Sequence, residues 1–131
     1  NSEIERIADM AVVVSRMILE LETSPTLQLP QPVFEMAALA EQMVADAIQA
    51  FLSEDSALAR KCLEAVGKAV GLEQQAKSEM IERLAAAGAE RAGMIQAFEI
   101  LHAFRRVTAR CANMAEDIIY MLDGEIVRHM H

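Results

Sequence analysis

Aromatic residues are almost missing from this chain: its 131 residues include no Trp, one Tyr and four Phe. Without ring faces there is no platform for stacking the bases of a single strand, and a formal charge of −8 repels a phosphate backbone, so nucleic acid is excluded as a partner class. Cysteine is scarce too. Cys62 and Cys111 are too few and too widely separated for a zinc pattern or a disulfide framework, and they read as reduced core residues in a cytosolic setting. No uncharged apolar run approaches the roughly 18 residues that a bilayer span requires, and no basic start followed by an apolar core marks a secretory leader. The expected location is therefore cytoplasmic, with no direct membrane insertion. The first residue is Asn rather than Met, as expected of a processed piece of something longer.

What remains is a chain that is 53% hydrophobic and rich in Ala, Leu, Ile, Val and Met, nine of them Met. Apart from the β-branched pair these are good helix formers, and the length suits a single domain with a real core. The expected fold is an all-α antiparallel bundle.

Periodicity places the helices. Ile4, Ile7, Ala11, Val14, Ile18 and Leu21 alternate steps of three and four, and Ser2 with Glu5 forms an S-x-x-E capping box, giving a first helix over about 3–22. All three prolines fall within Thr23 to Pro32, which reads as a semi-rigid crossover. Val33, Ala37, Ala40, Val44, Ala47 and Phe51 set a second helix over about 33–52, ended by the small polar turn Ser53 to Ser56. Leu58, Cys62, Ala65, Ala69, Leu72 and Ala76 carry a third over about 55–86, up to a break near Gly88. The fourth, over about 90–123, runs from Met94 through Ala97, Leu101, Phe104, Thr108, Cys111, Ala115 and Ile118 to Leu122, with Gly124 at its end.

Short turns make helices two, three and four antiparallel neighbours, with helix one as a fourth member. The whole of 1–131 reads as one domain: a first helix (1–22), a crossover (23–32) and a three-helix unit (33–131). Centring the third turn near Gly88 brings together residues whose numbers sum to about 176, which places Cys62 within about a turn of Cys111. Gly67 and Gly71 cost roughly 1 kcal/mol each relative to Ala, and close approach of the facing helix is the expected reason. Val12, Val13, Met17 and Leu19 form a surplus apolar side on helix one, from which a homodimer through that helix is expected.

Candidate chemistry is sparse. Glu99 and His102 form one E-x-x-H, the fragment from which di-iron bundles are made, but such a site needs two and no second copy exists. A surface Glu with a nearby His accounts for it, and a frayed tail accounts for His129 and His131. Arg105, Arg106 and Arg110 make a basic patch suited to an acidic partner or inorganic phosphate, with Glu99, Glu116 and Asp117 near enough to neutralise it. There is no Gly-rich phosphate loop, nucleophile elbow or Cys/His pairing, so no catalytic residue is assigned and the chain is not expected to be an enzyme.

Phe104 to His129 contains Arg106, then Asn113 leading into MAEDIIYML (Met114 to Leu122) and the exit GEIVRH (Gly124 to His129); ERIAD occupies Glu5 to Asp9. The first set resembles the closing helix of the PhoU family of phosphate-uptake regulators, and ERIAD resembles the matching helix of that family's first repeat. The family duplicates a three-helix unit, so the chain resembles the last helix of repeat one followed by all of repeat two.

The resemblance implies a carboxylate box between the last two helices, which holds iron or zinc in some members. The positions aligned with it here are Val66, Val70, Arg105 and Ala109, none of which supplies a lone pair from an acid. A second-repeat metal site is therefore expected to be lost, with Gly67 and Gly71 admitting the facing helix into a dry seam and Arg105 extending its charge towards solvent. The first-repeat motif keeps two acids, Glu5 and Asp9. They read either as residual metal ligands, for iron or zinc, or as a capping acid and its neighbour near a helix N-terminus, where the dipole favours negative charge.

By resemblance the expected function is a non-enzymatic cytosolic adaptor in phosphate-starvation signalling. Its implied partners are the ATPase of a phosphate ABC transporter and a sensor histidine kinase. Two alternatives stand beside it: a PhoU-like cytoplasmic regulatory tail of a sodium-phosphate cotransporter, and a metal-binding helical bundle.

Overall fold

The computed structural model describes residues 2–23, 29–85, 91–124 and 126. The middle of the proline-rich crossover, the turn around Gly88, and the tail with His129 and His131 lie outside the described residues. Four helices follow one another: α1 (Ser2–Thr23), α2 (Gln31–Ser53), α3 (Ser56–Ala85) and α4 (Arg91–Asp123). Among the described residues there is no strand, and the fold is an all-α antiparallel bundle. No helix among them is long and apolar enough to cross a membrane.

The helix ends follow from local chemistry. Pro30 holds φ −59° and ψ 149° at the start of α2, and Pro32 lies in the first turn, where no intrahelical N–H is required. The Val33 N–H donates to the Pro30 carbonyl at 3.0 Å. At its far end α2 stops because Glu54 turns left-handed, with φ 50°. Asp55 then caps α3, its Oδ1 accepting from the Leu58 N–H at 3.0 Å. Of the small polar turn residues it is thus Asp55 that starts the third helix. Gly124, at φ +67°, closes α4, its N–H donating to the Tyr120 carbonyl at 3.0 Å.

Helices α2, α3 and α4 pack extensively on one another, whereas α1 rests mainly on α2 and meets α4 only lightly. The antiparallel α3–α4 hairpin is recorded by its cross-pairs. Arg60 meets Asp123 at 3.0 Å at one end, and the Cys62 Sγ lies 3.9 Å from the Cys111 carbonyl in the middle. The two cysteines are therefore neighbours, as the hairpin register requires, and both are free thiols. α4 runs unbroken through Arg105, and its seam from Met94 to Ile118 is buried throughout.

Two expectations about packing are overturned. The buried seam of α1 is Ile7, Met10, Val14 and Met17, so Met17 faces the core rather than solvent, while Ala11 and Ile18 are only half-buried. Steps of three, four and three keep that seam in one heptad stripe, and the long Met side chains reach further into α2 than Ala can. Val12, Val13 and Leu19 do remain exposed. The glycines of α3 do not admit a close helix: a Cβ built on Gly67 or Gly71 meets nothing within 4 Å. Both face away from the contact that Val66 and Ala69 make.

Candidate functional site

Arg105, Arg106 and Arg110 stand within six residues of one another, yet α4 aims them at different partners. Successive residues on a helix diverge by about 100°, so Arg106 and Arg110, one turn apart, share a face that Arg105 does not. Arg105 turns towards α3. Its Nε lies 3.8 Å from Glu73 Oε1, its Nη1 donates to the Thr108 hydroxyl at 3.0 Å, and that hydroxyl donates to the Arg105 carbonyl at 2.7 Å. Lys77 adds a second cation 3.9 Å from Glu73.

This arrangement corrects the expectation that Arg105 extends its charge to solvent, because its side chain is only 13% exposed. It also corrects the picture of a dry apolar seam. Helical side chains lean towards their own N-terminus, so Arg105 reaches past the level of Val70 to a carboxylate nearer the hairpin turn. Where the resemblance implies an acidic box, this chain holds Val66 buried, Val70 and Ala109 half-buried, and a guanidinium paired with Glu73.

Arg106 and Arg110 face α1 instead. A groove of about 380 Å³ opens between the two helices, lined by Arg6, Asp9, Met10 and Val13 of α1 and by Ala103, Arg106, Val107 and Arg110 of α4. Each helix contributes positions i, i+3, i+4 and i+7, a stripe about 10 Å long. Met10 and Val107 are buried and form the floor; Arg6, Asp9, Arg106 and Arg110 are exposed and form the rim. The groove exists because α1 leans on α2 and leaves a gap against α4.

The first-repeat acids are both exposed on α1. Asp9 opens into this groove beside three arginines, while Glu5 is not among its lining residues. Among the described residues no three His, Cys, Asp or Glu side chains come together as a metal ligand set. Two carboxylates, one of them flanked by guanidiniums, are a poor fit to iron or zinc, since cations of the same sign already occupy the space around the oxygens. Glu99 and His102 are exposed on α4.

Sequence reasoning grouped Arg105 with Arg106 and Arg110 and did not bring Arg6 to them. A signal was present: Arg6 in ERIAD and Arg106 in the matching stretch of α4 occupy the same place in the two motifs. Both arginines reach the groove.

Among the described residues the buried polar groups are few and satisfied. Asp46 accepts from the Gln42 amide at 2.8 Å and lies 3.8 Å from the Lys61 ammonium. Burial, and then the nearby Asp46 charge, push the Cys62 thiol from its ordinary 9.0 up to about 12. Burial, and then Cys62, push Cys111 upward as well. Thiols held protonated in this way are poor nucleophiles.

The PhoU domain model matches residues 33–118, from the first turn of α2 to near the end of α4. That span is most of the chain, and the protein belongs to the PhoU family. No curated protein and no solved structure matches it significantly.

Proposed function

We propose that this protein is a non-enzymatic regulator of phosphate uptake and phosphate-starvation signalling, acting in the cytoplasm as an adaptor on a phosphate ABC transporter ATPase and a sensor histidine kinase. The observation that carries the reading is the PhoU domain match across α2, α3 and α4. Family membership brings a phosphate-transport regulator; the adaptor role and its two partners are proposed on that basis. The bundle itself supports a docking module, because its buried polar groups serve packing and its cysteines are poorly nucleophilic.

A homodimer is part of this reading. Val12 is 55% exposed and Leu19 58%, seven residues apart on one side of α1, which gives that helix an outer apolar edge in addition to the one seated on α2.

The test is affinity purification of the tagged protein from phosphate-limited and phosphate-replete cells, followed by mass spectrometry. Recovery of the phosphate-transporter ATPase, changing with phosphate supply, is the expected result. Recovery of neither the ATPase nor a sensor kinase in either condition, from cells whose transporter is expressed, would overturn the adaptor reading.

A further inference from the structure

The α1–α4 groove is lined by three guanidiniums, of Arg6, Arg106 and Arg110, and by a single carboxylate, that of Asp9, on a chain whose formal charge is −8. Arginines stay protonated at any physiological pH and present planar donor forks that match phosphoryl and carboxylate oxygens. Among the described residues neither Arg106 nor Arg110 forms an ion pair. They stand one turn apart on the same face, at a spacing that lets both contact one tetrahedral anion, while Arg6 faces them from α1.

The floor narrows the ligand further. Met10 and Val107 are buried beneath the rim, and Val13 and Ala103 complete an apolar lining. A fully hydrated inorganic ion gains nothing from such a surface, whereas a ligand with an apolar or aromatic body attached to its charge would use both parts. A volume of about 380 Å³ falls at the small-molecule end of binding pockets. A phosphate monoester, which carries close to two negative charges near neutral pH, offers an oxygen to each of Arg106 and Arg110.

We infer that the α1–α4 groove is a binding site for a small phosphate monoester. Its phosphoryl oxygens sit on Arg106 and Arg110 with Arg6 opposite, and its apolar body lies on Met10, Val13 and Val107. The site does not depend on the adaptor reading, since the groove is built from residues of this chain alone.

Phenyl phosphate is the probe, followed by methyl NMR on the whole chain at low ionic strength, with phenol, orthophosphate and benzenesulfonate as comparisons. Phenyl phosphate should shift the Val13 and Val107 methyl signals saturably, and benzenesulfonate, with one charge, should bind more weakly. Phenol should leave them in place. The double variant R106Q/R110Q, in which the groove keeps its shape, should weaken binding by roughly tenfold or more through loss of two charge-assisted contacts. Val13→Asn should weaken phenyl phosphate while leaving any orthophosphate affinity unchanged. Val13 is exposed, so this variant keeps the fold, and circular dichroism checks both variants. Phenyl phosphate binding that survives R106Q/R110Q, orthophosphate binding as tightly as phenyl phosphate, or no saturable shift at all would each overturn the proposal.

Discussion

Arg105 and Glu73 lie 3.8 Å apart across the α3–α4 hairpin, with side chains only 13% and 19% exposed. The pair fixes the register of the two longest helices beside the apolar contact made by Val66 and Ala69. Thr108, fully buried, holds the guanidinium from its own helix. Removing one partner strands a partly desolvated charge, while removing both relieves the desolvation cost as well.

Arg105→Leu and Glu73→Leu should therefore each destabilise the bundle by roughly 1–3 kcal/mol in urea unfolding. The paired variant R105L/E73L should recover much of that loss. Additive losses in the double-mutant cycle would show that the two groups are not coupled.

Glycine in the interior of α3 has no packing role to protect it, because an added Cβ meets nothing within 4 Å at either position. Gly67→Ala and Gly71→Ala should each raise stability by about 1 kcal/mol through helix propensity and reduced freedom of the unfolded chain. A loss of stability at either site, measured by thermal unfolding, would mean that a helix does approach there.

The raised thiol pKa values predict a pH dependence. Below the ordinary value of 9.0 both folded and unfolded thiols are protonated, and the full stability is present. As pH climbs from 9.0 towards about 12, the unfolded chain ionises first and the folded Cys62 holds its proton, so the unfolded state is favoured. Each thiol should remove about 1.4 kcal/mol per pH unit in that window. Replacing Cys62 and Cys111 by Ala, which carries no ionisable group, should flatten the alkaline limb. An aromatic disulfide reagent should react slowly with the native protein and find two thiols after denaturation.

The outer edge of α1 should govern assembly. If the homodimer forms through it, Leu19→Glu should convert the protein to monomer at tens of micromolar in light scattering with little change in helix content. Wild-type protein that is monomeric under those conditions would remove the dimer from the proposed function.

The four helices were readable from the sequence because each is written in its own periodicity and punctuation. The seam from Met94 to Ile118 is long enough that no other structure would bury it, and Pro30, Pro32, Asp55 and Gly124 act within a turn of where they stand. The apposition of Cys62 and Cys111 was readable as well, since a short turn leaves an antiparallel hairpin little choice of register. The PhoU resemblance rested on local motifs, and local motifs survive in sequence.

What sequence could not settle was the direction of long side chains and the lean of one helix on another. Arg105 is about 100° around α4 from Arg106, so one enters an ion pair with Glu73 and the other lines the groove, although they are adjacent in the chain. Gly67 and Gly71 had the spacing of a helix contact, but only the packed arrangement shows that they face open space. The groove depends on α1 resting on α2 rather than on α4, a balance of many small contacts across distant parts of the chain. Periodicity and capping are local, and so sequence determined the elements; the meeting of Arg6 with Arg106 and Arg110 is a sum over the whole fold, and the tertiary structure alone decided it.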